Sequence, residues 1–179
     1  LPIFLLLFLL PLAEVPNHAP ASEPVSVAST PETDEIDQLF DDMQLDGIVS
    51  YTAFRQAVTG YRKIEQKSKS IMTLIDFSKP STEKRLYVLD MKNKKLLYTS
   101  VVSHGKNSGG NYATSFSNKN GSYKSSLGFY LTENTYQGRN GYSLVLNGLE
   151  KGINDQAKQR AIVMHGAAYA NQIGRASCR

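Results

Sequence analysis

The sequence of 179 residues predicts a mainly β domain with a short N-terminal helical segment. Three observations carry that prediction. From about residue 70 onward, apolar residues fall in short runs bounded by clusters of Gly, Asn, Ser and Lys, which is how strands and turns alternate. Before residue 66 the apolar residues recur at helical spacing instead. Finally, Ala161-Ile162-Val163-Met164-His165-Gly166 places three large apolar residues in a row, then a histidine, then a glycine. The apolar run reads as a strand buried on both faces, with an imidazole at its end.

Taken in order, Ile3 to Leu10 is an unbroken apolar run between Pro2 and Pro11. It is too short to span a bilayer and has the size of a signal-peptide core, so residues 1–12 are expected to be a partial signal peptide. No cysteine follows to carry a lipid anchor, and the chain opens on leucine without a basic leader start. Residues 13–33, rich in Pro, Ser, Glu and Ala, read as a disordered linker. Thr30-Pro31 forms an N-cap and first helical position. Ile36, Leu39, Phe40 and Met43 then make one apolar stripe. Ser50 caps a second helix with Phe54, Val58, Tyr61 and Ile64 on one face. Gly60 within it costs about 1 kcal/mol relative to alanine, which predicts close packing there. Residues 34–66 are thus a helical preface.

The strands follow. Ile71 to Phe77 is ended by Lys79-Pro80-Ser81. Residues 85–91 and 96–102 flank the polar connection Lys92-Asn93-Lys94-Lys95, which predicts a hairpin with lysine-guarded edges. Residues 104–125 form a long loop dense in Gly, Ser, Asn and Lys, and loops of that length inside a domain are functional or disordered. Further strands are expected over 127–132, 142–146 and 161–165.

Charge is unevenly spread. Residues 1–60 hold nine acidic side chains against Arg55 alone, whereas residues 61–179 hold 19 basic against seven acidic. No nucleic-acid motif accompanies the basic half, and its lysines sit in turns, so a solvated surface accounts for them. The single cysteine excludes an internal disulfide. His104 and His165 stand 61 positions apart without Cys or Glu at ligand spacing, so neither a metal nor a cofactor is expected.

Three segments could do chemistry. His165, on a rigid strand end, suits a general base; its bland alternative is a core histidine bonded to a carbonyl. His104 precedes a glycine-rich turn, Gly105-Lys106-Asn107-Ser108-Gly109-Gly110, whose spacing matches neither a P-loop nor a dinucleotide fingerprint. Ser125 and Ser126 open the strand that carries Tyr130, where serines ordinarily form turns.

Together these segments resemble the murein L,D-transpeptidase catalytic-domain family, in the branch found in exported bacterial proteins. The resemblance runs from about Phe54 to Tyr169. It is carried by Ile75-Asp76-Phe77-Ser78, Lys84 to Asp90, Ser103 to Gly109, Phe116-Ser117-Asn118 and Ser125 to Tyr130. It continues through Tyr142-Ser143-Leu144, Gly148-Leu149-Glu150, Asn154-Asp155 and Arg160 to Ala167. The resemblance implies a β-sandwich acting on peptidoglycan stem peptides in the periplasm or cell envelope. It implies a cysteine thiolate that attacks the L,D peptide bond and releases D-alanine, after which an amine of a second stem peptide forms the cross-link. Under it, His165 matches the catalytic histidine, with Gly166 shaping its surroundings, and His104, Ser125, Ser126 and Tyr130 become substrate-binding candidates. An L,D-carboxypeptidase or a non-catalytic peptidoglycan-binding module are the alternatives, and the oligomeric state is left open.

The family's nucleophile lies in a Gly-Arg-Ser-x-Gly-Cys-Pro type block about twenty residues past the histidine. Here Cys178 comes thirteen positions after His165, with no glycine before it and no proline after. Ile173 to Arg179 is also what one reading frame of a short-read sequencing adapter encodes. The expectation is therefore an incomplete catalytic domain over 67–172, a non-native tail over 173–179, and a nucleophile other than Cys178, which takes that role only if the tail is genuine.

Overall fold

The computed structural model describes residues 4–8, as backbone, and residues 31–171. The linker segment before residue 31, the Thr30 cap and the tail with Cys178 lie outside the described residues. The elements are β1 (Phe4–Phe8), α1 (Pro31–Asp42), α2 (Tyr51–Lys63), β2 (Ile71–Asp76), β3 (Leu86–Asp90), β4 (Lys95–Ser100), β5 (Gly128–Gly138), β6 (Gly141–Gly148), β7 (Val163–His165) and a 3₁₀ turn, η1 (Ala168–Asn171). The protein is mainly β, as expected.

Two antiparallel three-stranded units, β4-β3-β2 and β5-β6-β7, are joined through β1 in the order β4-β3-β2-β1-β5-β6-β7. β1 runs parallel to β2 and antiparallel to β5. The apolar run whose length suggests a leader core therefore supplies, in this structure, the central strand of the sheet. The physical reason lies in its neighbours: β2 and β5 each offer an open edge of backbone N–H and C=O groups, and an apolar strand satisfies both.

β2 sets the layering, because its successive residues enter two different cores. Met72 and Leu74, paired with Leu89 and Tyr87, pack against α1 and α2. Ile75, paired with Leu86, joins Phe77, Tyr130, Leu146 and Ala157 on the opposite face. The helices do what their stripes foretell. Ile36, Phe40, Met43, Phe54 and Val58 are buried, and full burial of side chains such as Phe54 contributes roughly 2 kcal/mol each. Ser50 caps α2, accepting from the Ala53 amide at 3.4 Å. Ile64, expected on the helix, is instead its extended C-cap. Gly60 does pack closely: a Cβ there would overlap the Phe129 ring.

Two strand predictions are corrected. β5 and β6 are longer than expected and meet in a tight hairpin around Arg139-Asn140, the pairing passing an irregularity between Thr132 and Thr135. The exposed run Asn134 to Gln137, polar except for Tyr136, hides this tip from a reading based on apolar runs. β7 is not buried on both faces. Among the described residues it pairs with β6 alone, and Val163, Met164 and His165 are half-buried, because their other side forms the wall of a cleft.

Candidate active site

That cleft, of about 430 Å³, lies on the face opposite the helices. β7 and Ala161–Ile162 form one wall, Val102 to Gly105 another, and Asn120, Gly121 and Tyr123 to Ser126 the rim, with Ile75, Phe77 and Tyr130 at the base. The structure thus brings His104, Ser125, Ser126, Tyr130 and His165 to one cavity from segments up to 61 positions apart. A larger groove, about 650 Å³, runs along α2 on the helix side, but it is lined by Arg55, Gln56, Lys63, Phe129 and neighbours without histidine or cysteine.

His165 ends β7, and its Nδ1 lies 2.9 Å from the carbonyl oxygen of Gly166. A carbonyl only accepts, so Nδ1 carries the ring proton and Nε2 keeps its lone pair. The Tyr169 hydroxyl, delivered by η1, stands 3.5 Å from Nε2, and the two rings meet edge to face. The half-buried imidazole therefore has a fixed tautomer suited to taking a proton at Nε2. Gly166 contributes its carbonyl, and space around its α-carbon is open.

His104 is placed differently. It is buried behind the cleft wall, with Nδ1 facing Nη2 of Arg85. A guanidinium has donors only, so here Nδ1 must accept and the proton of the neutral ring sits on Nε2. Arg85 in turn donates from Nε and Nη2 to the Val102 carbonyl, and from Nη1 to that of Lys79. It also stacks over Phe77, its Cζ 4.9 Å from the ring centre. Burial lowers its pKa to about 10, with Asp76 opposing the shift, so it remains a cation at neutral pH.

The hydroxyls bond inward. Ser125 Oγ accepts from the Gly105 amide at 2.9 Å, and its own amide donates to Ser108 Oγ at 2.8 Å. Ser126 Oγ donates to the Ser117 carbonyl. Tyr130 donates to the Ser126 carbonyl at 2.9 Å, and burial pushes its phenol up to about 12. Arg160 gathers the rim. Its Nη1 reaches Ser117 O and Ser126 Oγ, and its Nη2 reaches Ser122 Oγ and Lys124 O, at 2.6–3.1 Å. Gly105 is required for this closeness, since a Cβ would stand 2.6 Å from the Tyr123 carbonyl and the Ser125 amide. Tyr123 and Ala161, both at the cleft, hold positive φ (54° and 55°), backbone strain of the kind found around binding sites.

Arg85 and Arg160 are the site residues that sequence reasoning missed. Both stand at the threshold of an apolar strand, which is an unusual place for a charge, and that is the one local signal they give. Among the described residues no three His, Cys, Asp or Glu side chains cluster as a metal would need, and no helix is long and apolar enough to cross a membrane.

A mainly β domain whose cleft wall presents a carbonyl-oriented histidine with Nε2 as acceptor defines a class of site able to assist acyl transfer. The chain belongs to the L,D-transpeptidase catalytic domain family, whose sequence profile matches residues 46–177, α2 included. It is accordingly an L,D-transpeptidase-type protein of peptidoglycan. No curated protein and no solved structure was found to match it.

Proposed function

We propose that this chain is the histidine-bearing part of an exported cysteine L,D-transpeptidase that cross-links stem peptides. The observation that carries the reading is the His165 Nδ1 contact to the Gly166 carbonyl, which orients the ring and leaves Nε2 to receive a proton. A free thiol has a pKa near 8.5 and is mostly protonated at neutral pH, so an adjacent imidazole acceptor raises the thiolate fraction. The thiolate adds to the carbonyl carbon of the L,D bond. The C–N bond then breaks, and imidazolium returns its proton to the departing D-alanine amine. The amine of a second stem peptide attacks the thioester, loses a proton, and frees the thiolate. Water in place of that amine gives carboxypeptidase chemistry instead.

The tail around Cys178 lacks the glycine and proline of the family block, and we take the nucleophile to be a cysteine of the native continuation. Reading the genomic locus through codons 173–179 tests this; native codons up to Cys178 would overturn it. Export is inferred from the location of the peptidoglycan substrate in the cell envelope. Incubating the natively continued chain with peptidoglycan and identifying the muropeptides tests the activity. Cross-links between two diamino-acid residues, absent in His165→Ala, are expected. Shortened stems alone would indicate hydrolysis, and binding without turnover would leave a non-catalytic module.

A further inference from the structure

The charge of the cleft is one-sided. Among the described residues none that lines it is Asp or Glu, while Lys124 and Arg160 both belong to it. Arg160 is held entirely by neutral oxygens: two backbone carbonyls and two serine hydroxyls. Lys124, whose carbonyl is one of those acceptors, donates from Nζ to Ser115 Oγ at 2.6 Å. Among the described residues neither cation takes part in an ion pair; the pairs found involve Arg62, Lys94 and Lys158. Two charges drawn partly out of water without a counter-ion create a positive potential in a concave, poorly screened space. An anion entering that space makes charge-assisted contacts that a neutral group of the same shape does not.

Resting on the stem-peptide reading above, we propose that the cleft takes its peptide as an anion, with a free carboxylate facing the Lys124–Arg160 wall, and discriminates against the carboxamide at the same place. Arg160 positions the rim, and Lys124 is the residue available to meet the ligand. The carboxylate belongs either to the peptide's C-terminus or to the side chain of its diamino acid, and both present the same chemistry.

The test uses the chain as it stands, since binding needs no nucleophile. A synthetic stem tetrapeptide with free carboxylates, and two versions amidated singly at either carboxylate, are titrated by calorimetry at low and moderate salt. Amidating one of the two positions is expected to weaken binding about tenfold and to remove most of its salt dependence, which identifies the carboxylate recognised. Lys124→Gln is expected to erase the difference between acid and amide at an unchanged melting temperature, while Lys124→Arg keeps it. Equal binding of all three peptides would overturn this proposal and leave the stem-peptide reading intact. Failure of every peptide to bind would overturn the stem-peptide reading itself.

Discussion

Nη2 of Arg85 lies 2.9 Å from Nδ1 of His104, and both side chains are sealed from solvent. This contact gives the protein two histidines in opposite tautomers at one cavity. In His104 the proton is on Nε2; in His165 it is on Nδ1. The second is held in its form by the Gly166 carbonyl, whereas the first accepts from Arg85, which itself also donates to the Val102 carbonyl.

Arg85→Lys is expected to be destabilising although it keeps the charge. An ammonium is a point donor and cannot serve the Val102 carbonyl, the Lys79 carbonyl and His104 Nδ1 at once. Leaving one or two of these buried acceptors unmet costs on the order of 2–3 kcal/mol. A denaturant midpoint measured for both chains checks the magnitude. Imidazole ¹⁵N shifts should show His104 in the Nε2–H form in the parent.

Tyr130 predicts a loss of stability in alkali. Its phenol is raised from 10 to about 12 by burial, so between those values the unfolded chain releases a proton that the folded chain retains. The contribution is intact below pH 10 and declines as pH climbs toward 12, by on the order of 2–3 kcal/mol in total. Tyr130→Phe should cost about 1 kcal/mol at neutral pH through the lost bond to Ser126, yet show a shallower decline above pH 10. Unfolding midpoints from pH 8 to 11.5 compare the slopes; equal slopes would sink the assignment.

Gly105→Ala should disturb the cleft more than its size suggests. The added methyl meets backbone at Tyr123 and Ser125, which cannot rotate away as a side-chain tip could. A cost of about 1–3 kcal/mol is expected, with amide shifts concentrated in residues 120–126. Shifts spread evenly over the sheet would contradict it.

Removing residues 1–12 separates strand from leader. β1 pairs with β2 from Met72 to Asp76 and with β5 from Gly128 to Leu131, so its loss exposes two edges. The shortened chain should melt on the order of 5 °C lower or more. An unchanged melting temperature would show that Phe4–Phe8 adds nothing to the sheet.

Much of this architecture is legible in the sequence where one side of an element is apolar. The stripes of α1 and α2, the β3–β4 hairpin and the strand ending at His165 follow from local pattern. Other features depend on partners that pattern does not encode. Ile162 to Met164 read as a doubly buried strand because a cleft wall is apolar too. Arg85 and Arg160 escaped because their acceptors are backbone carbonyls, distant in sequence and identical at every residue. Ser125, Ser126, Tyr130 and His104 stand in segments that the sequence marks, but their hydrogen bonds run inward to partners that local pattern does not specify.

The two faces of β2 lead separate lives. Substitutions on α1 or α2 that loosen Met72 and Leu74 reach the histidine cavity through β2, and those beside Gly60 reach it through Phe129 of β5. Packing along the helices is therefore partitioned by the sheet from the cleft that holds both histidines.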